Sequence, residues 1–238
     1  MALDAALISR ARRTGDTVIR VYGWSGPTLS FGRNQRTAGT WHASTLASAG
    51  VGVVRRPTGG RALLHDHEIT YSVTAPADAP LGATYARINA LLVNALGRLG
   101  VPATIAPRAR PASLPSATPC FAEPAAGELV VDGRKLVGSA QWRDGGVLLQ
   151  HGSILVEDDQ QRIGGLADAP PGTVPAPATL RALLGRAPGL EEMAACLLAA
   201  ARALADPGAQ QFEVERPVHD EADALSARYR SDAWTWRR

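Results

Sequence analysis

Glu128-Leu129-Val130-Val131-Asp132-Gly133-Arg134-Lys135-Leu136-Val137-Gly138-Ser139-Ala140-Gln141 is the stretch that decides the fold. Asp-Gly between two β-rich runs is a hairpin signal, because both central residues of the tight turn need positive φ. Asp144-Gly145-Gly146 turns the chain again into Val147 to Val156, so three consecutive antiparallel strands are expected. Alternation along the middle strand predicts that Lys135, Val137, Ser139 and Gln141 share one face.

Outward from this meander, residues 2–13 have helical spacing, with Leu3, Leu7 and Ile8 on one face and Arg10, Arg12 and Arg13 toward the C-terminal end, where they suit the helix dipole. Val18 to Tyr22 and Thr28 to Phe31 read as short strands separated by the Gly23 to Pro27 turn, followed by a helix around 38–49. Val51 to Arg55 reads as a strand, Pro57 to Gly60 as a break, and Ala62 to Val73 as extended again. A helix over Thr84 to Leu99 stops at Gly100, and residues 101–126 read as a surface loop carrying Cys120-Phe121 near its end. Past residue 157 come a short helix, a Pro-rich stretch from Pro170 to Pro177, helices near 179–205, a short strand at 211–215 and a last helix from about 219. This organisation predicts one domain over 1–238, with 179–238 its small C-terminal helical part.

The 238 residues are 45% hydrophobic and 20% charged, which suits a globular core and excludes a disordered chain. No apolar run reaches the roughly 18 residues of a membrane span and no export signal opens the chain, so a cytoplasmic location is expected. A net charge of +3 with no basic block gives no reason to expect nucleic acid. Cys120 and Cys196 lie far apart, so each thiol is judged alone. Cys196 sits in an apolar helical run and reads as a small hydrophobe, whereas Cys120 sits in a loop where a nearby cation would favour its thiolate. Every basic residue is arginine except Lys135, and a lysine, unlike arginine, carries a proton that a site can make labile.

Arg55-Arg56-Pro57-Thr58-Gly59-Gly60-Arg61 joins a strand end, two glycines and three guanidinium groups, the materials of a phosphate or carbonyl cradle. In His65-Asp66-His67-Glu68, one continuous strand would point His65 and His67 the same way, a third metal ligand having to come from His151 or a cysteine. Two co-facing histidines without a helical ligand pair read better as hydrogen-bonded residues of a polar pocket than as a metal site.

Together these motifs, with Glu68-Ile69-Thr70-Tyr71-Ser72 and Leu149-Gln150-His151-Gly152-Ser153, closely resemble the biotin/lipoate protein ligase and acyltransferase superfamily. Cys120-Phe121 ahead of Glu128 to Val131 is similar to the cysteine-dependent octanoyltransferases of lipoate synthesis. The resemblance implies an α+β fold: a larger mixed, mostly antiparallel sheet, a smaller sheet, and packed helices. It also implies a monomeric, ATP-independent, cofactor-free and metal-free ping-pong transfer. In that reaction Cys120 takes octanoyl from acyl carrier protein and passes it to a lysine of a lipoyl domain, such as the glycine cleavage H protein or a 2-oxoacid dehydrogenase E2. Lys135 would lower the thiol pKa and orient the carbonyl. Arg55, Arg56, Thr58, Gly59, Gly60, Arg61, His65, Gly138, Ser139, Ala140, His151 and Gly152 would bind the substrate.

Two departures stand out. Members usually have a strand ahead of the sequence matching Met1, often with Glu where Ala5 stands, so this chain is expected to lack an N-terminal segment; and the loop Ala122 to Gly127 lacks the aromatic residues often found there. Three alternatives compete with octanoyl transfer from the carrier: an ATP-dependent lipoate ligase, an amidotransferase moving octanoyl between lipoyl domains, and a silent acyl-carrier binding module. Ligases commonly carry Asn-Asp where Glu128-Leu129 stands, and neither a ligase nor a binding module requires Cys120.

Overall fold

The computed structural model of the chain describes residues 1–107, 121, 125–168 and 175–237. The meander forms as expected: β7 (Leu129–Val131), β8 (Arg134–Asp144) and β9 (Val147–Leu155) pair antiparallel. Both turns have the left-handed backbone that tight hairpins need, Asp132 and Gly133 at φ 50° and 73°, Gly145 and Gly146 at 53° and 78°.

Around it a six-stranded antiparallel sheet runs in the order β1-β5-β9-β8-β7-β6, with β1 at Val18–Tyr22, β5 at Glu68–Pro76 and β6 at Thr104–Ile105. A second sheet holds β3 (Gly52–Arg55), β2 (Thr28–Phe31) and β4 (Leu63–His65) in that order. Among the described strands the parallel pair, β2 with β3, lies in this smaller sheet. No described helix is long and apolar enough to cross a membrane.

One face of the larger sheet carries the main core. Ile69, Tyr71 and Val73 of β5, Leu148 and Ile154 of β9, and Val137 of β8 pack against Ile88, Leu92 and Leu96 of α3 (Leu81–Arg98). From α4 (Leu180–Leu184) and α5 (Leu190–Leu204), Leu180, Met193, Leu197 and Ala200 join the same cluster. The other face meets the smaller sheet and α1 (Ala2–Thr14), whose Ile8 and Ala11 pack on Val147 and Leu149. Across α1 lies α6 (Arg216–Arg230), through Val218 and Ala222. Trp234 of α7 (Asp232–Thr235) donates its indole N–H to the Arg55 carbonyl, so the end of the described chain folds back on β3.

Several expectations need correction. Alternation fails at Lys135: Val130 faces Lys135 but Leu129 faces Val137, so β8 carries one extra residue in a bulge. Leu136 and Val137 both enter the core, which turns Lys135 to the opposite face from Val137, Ser139 and Gln141. The extended run 62–73 is two strands in two sheets, interrupted at Asp66-His67 where the chain crosses between layers. The helix expected at 38–49 is only α2 (Ala43–Ser48), because Gly39 takes φ 75° and Trp41 bridges to Ala167. α3 starts three residues early, behind Pro80, and part of the 101–126 loop pairs as β6. No strand forms at 211–215: Phe212 and Val214 pack against the α1–α6 cluster through their side chains without pairing in either sheet. α6 likewise begins at Arg216 rather than 219.

Candidate functional site

The bulge in β8 delivers the single lysine to the space between the two sheets. The Lys135 ammonium lies 2.8 Å from Glu128 Oε2 and 4.7 Å from the centre of the Phe121 ring, with both ion-pair partners buried. The same Glu128 oxygen accepts from the Ala125 N–H at 2.7 Å, which ties the lysine to the backbone just after the cysteine loop. Gly138 provides the room: a Cβ there would meet Lys135 Cε and the Phe121 ring edge at 3.1 Å each. Phe121 also packs on Leu63 of β4 and Leu155 of β9, so it bridges the two sheets. Cys120 lies outside the described residues.

Next to it are two histidines, each between a carboxylate and a hydroxyl. His65 Nδ1 is 2.7 Å from Glu68 Oε1 and its Nε2 is 2.7 Å from Ser30 Oγ, which also accepts from Arg56 at 2.7 Å. With a guanidinium at one end and a carboxylate at the other, the protons are directed: Ser30 donates to Nε2 and Nδ1–H donates to Glu68. Thr70 and Ser153 donate to the same Glu68 oxygen, while its Oε2 is buried without a partner among the described residues, and the Trp24 indole stacks on the imidazole at 4.1 Å.

His151 bonds through Nε2 to Thr58 Oγ1 and has Asp4 Oδ2 3.9 Å from Nδ1. Burial lowers the His151 pKa, only partly opposed by Asp4, so the ring is neutral at pH 7. Burial alone would raise the Asp4 carboxyl. Arg20, 2.7 Å away, and then His151 outweigh it and hold Asp4 far below the usual carboxylate range.

The motif arginines are placed as braces. Fully buried Arg55 donates to the carbonyls of Gly32, Gln35, Thr235 and Arg237, with a longer contact to Arg33. Burial first, then Arg237 and Arg56, lowers its pKa to about 10, so it stays charged at neutral pH. Arg56 donates to the carbonyls of Ser30, Gly59 and Arg61, shaping the loop from within; its Nη2 lies 2.7 Å from where a Gly60 Cβ would stand. Neither presents its guanidinium outward as a clamp, contrary to the sequence reading of a three-arginine cradle. Arg61 is half-buried, and Gly59 and Gly60 are exposed.

The sheet thus groups Lys135, Gly138, Ala140 and His151 with Thr58, Gly59, Gly60, Arg61 and His65 on the side toward the smaller sheet. Ser139 and Gly152 are on the other face: Ser139 Oγ bonds Tyr71 Oη, and a Gly152 Cβ would strike Tyr71. His65 and His67 do not co-face, since the crossing at 66–67 leaves His65 buried and His67 exposed. The donor atoms of Asp66, His67 and Asp159 lie within 4.8 Å of one another, yet the Arg162 guanidinium already pairs with both carboxylates. Sequence reading missed Glu128, Glu68, Asp4, Ser30 and Trp24. Glu128 alone had a local signal, since hairpin counting puts it diagonal to Lys135.

A family model described as the lipoyl protein ligase A/B catalytic domain matches residues 1–202. Octanoyltransferase LipM of Kyrpidia tusciae is 38% identical over 259 residues, covering 100% of this chain and 94% of the relative. Octanoyltransferase LipM of Symbiobacterium thermophilum is 35% identical, covering 100% and 93%. Among solved structures, a lipoate-protein ligase A bound with ATP superposes with a TM-score of 0.81 at 19% identity over 99% of this chain and 92% of that one. A bi-partite lipoate protein ligase from Thermoplasma acidophilum gives 0.79 at 18% identity over 99% and 89%. At those identities the structures establish a shared fold, with its larger and smaller sheets and packed helices. Sequence relatives and fold agree that the chain belongs to the lipoyl protein ligase A/B catalytic domain family.

Proposed function

We propose that this chain, an octanoyltransferase by its relatives, works through a Cys120 thioester. The Cys120 thiolate attacks the thioester carbonyl of octanoyl-acyl carrier protein, the C–S bond to phosphopantetheine breaks, and the carrier leaves as its thiol. The ε-amine of a lipoyl-domain lysine then attacks the acyl-cysteine, forming the amide and returning the thiol. A covalent intermediate splits a slow transfer into two easier steps, and thioester to amide runs downhill, so neither ATP nor a metal has a part.

Lys135 carries this reading. The only lysine of the chain is buried against Phe121, the residue that follows Cys120, on the face shared with Thr58, His65 and His151. An ammonium there favours the thiolate and the oxyanion of each tetrahedral intermediate, with the Gly59-Gly60 backbone N–H groups as further donors.

The test is intact mass after incubation with octanoyl-acyl carrier protein, without acceptor or ATP, beside Cys120→Ala. A hydroxylamine-labile octanoyl adduct on the unsubstituted chain alone is expected. Absence of the adduct from folded protein, with labelling that instead requires ATP and free octanoate, overturns this reading in favour of the ligase.

A further inference from the structure

Arg55 and Arg56 of the Gly-Gly motif are consumed inside the fold, and a different set stands outside it. Arg33 and Arg237 are half-buried and Arg228 is exposed, and they converge on two tryptophans. The guanidinium carbons of Arg228 and Arg237 lie 4.1 and 4.0 Å from the Trp234 ring centre, and that of Arg33 lies 5.3 Å from the Trp142 ring centre. Arg237 donates to the Arg33 carbonyl at 2.6 Å. Among the described residues none of the three has an ion-pair partner, although arginines elsewhere on this surface pair with Asp or Glu repeatedly. Burial, then the charges of Arg33 and Arg228, lower the Arg237 pKa.

Like charges gathered with no ion pair among the described residues leave a strong unbalanced field, the condition under which an anion binds. Indole faces hold the planar guanidinium groups, and beyond the bonds Arg237 gives to the Arg33 carbonyl and Arg33 gives to the Pro57 carbonyl their remaining N–H groups can fork onto oxygens.

Their location gives the anion its context. The Arg33 N–H donates to the Thr58 carbonyl at 2.7 Å, and its side chain reaches the Pro57 carbonyl at 3.5 Å, so the cluster abuts the loop that opens on the candidate site. Trp142 is two residues along β8 from Ala140, the partner of His151 in the register, and on the same face. The geometry points to a phosphate-binding site formed by Arg33, Arg228 and Arg237 at the mouth of the cleft, which takes the phosphodiester of the donor's phosphopantetheine arm. This rests on the proposed octanoyl transfer and deepens it. The motif arginines brace the loop, and this second set reads the phosphate.

The test compares 4′-phosphopantetheine with pantetheine, which differs only by the phosphate, by calorimetry on the full chain. Their octanoyl thioesters are then compared as donors by intact mass. Binding of the phosphorylated arm is expected to be at least about tenfold tighter, a difference that Arg33→Gln combined with Arg237→Gln brings to about one. Arg228→Gln, at an exposed position, is expected to remove part of it and serves if the double variant is unstable.

An undiminished preference in these variants, or none in the unsubstituted chain, overturns the site. So does a loss confined to octanoyl-acyl carrier protein with both small arms unaffected, which would make the cluster a surface for the protein itself. ATP is the other phosphate source. If ATP loses affinity in the variants while phosphopantetheine does not, the site is a nucleotide site and the proposal is overturned. Phosphate-dependent binding without any acyl adduct would keep the phosphate site and reject the thioester chemistry, so the two failures are distinct.

Discussion

Arg55 and Lys135 are both buried cations, Arg55 on the Phe31 side of the smaller sheet and Lys135 between the two sheets, and the fold satisfies them in opposite ways. Arg55 gives its donors to backbone carbonyls from two distant segments, residues 32–35 and 235–237. Lys135 faces the Glu128 carboxylate and the ring of Phe121, the residue after Cys120. A guanidinium enclosed by carbonyls has one fixed function, to hold chain segments in place. On the proposed reading an ammonium set against the residue after Cys120 is a reagent, and the difference separates it from an anchor.

The largest effect should fall on the reagent. Lys135→Arg keeps the charge and replaces the compact ammonium with a fork too wide for the space over Gly138. Octanoyl transfer is expected to drop roughly 10²- to 10⁴-fold, the range of one lost proton-transfer group, a larger loss than the about 1–3 kcal/mol of overpacking accounts for in the fraction that remains folded. Arg55→Met should do the reverse. Two or more buried carbonyls left unsatisfied at about 1–3 kcal/mol each predict a loss of about 3 kcal/mol or more in denaturant unfolding, and any residual folded fraction should still acylate. If Arg55→Met proves stable but inactive, the anchor assignment is wrong and the guanidinium belongs to the site.

What separates the two cations was only partly legible in the sequence. Both hairpins were, because Asp132-Gly133 and Gly145-Gly146 encode their turns locally. The bulge beside Leu136 was not, because register belongs to a pair of strands, and one extra residue reversed the face of Lys135. His65-Asp66-His67-Glu68 looked like one strand because the residues carry no Pro or Gly at the crossing; its true consequence, a His65–Glu68 pair, depends on where the second sheet sits. Arg55 read as a ligand clamp for the same reason, since its partners Thr235 and Arg237 lie some 180 positions away. Local chemistry singles out residue types, and long-range packing decides which of them share a face.

Gly138→Ala sharpens the Lys135 side of the comparison. Its new methyl would stand 3.1 Å from both Lys135 Cε and the Phe121 ring, so one of them must move. A stability cost of about 1–3 kcal/mol is expected from overpacking, with a fall in transfer rate larger than that cost explains if the ammonium shifts. Unchanged activity in a stable Gly138→Ala chain would show that the position of Lys135 is not tightly set.

The smallest effect is the pH dependence of the junction. His151 has a folded pKa below the ordinary histidine value of 6.5, so below that value the unfolded chain takes up the proton that the buried ring refuses. Its contribution to stability is complete above pH 6.5 and falls as pH drops toward the folded pKa, at no more than about 1.4 kcal/mol per pH unit for one proton. Asp4 stands in the same relation to its reference and loses in the same direction: its carboxylate is held well below 3.8 when folded, so its contribution persists until the pH falls below that value. Melting temperature should therefore decline in two stages, a shallow one from pH 6.5 downward and a steeper one below about pH 4. His151→Gln, whose amide still accepts from Thr58, should flatten the first stage and leave the second. If the first stage persists in that variant, the proton enters elsewhere and the Thr58 bond is not what acid breaks.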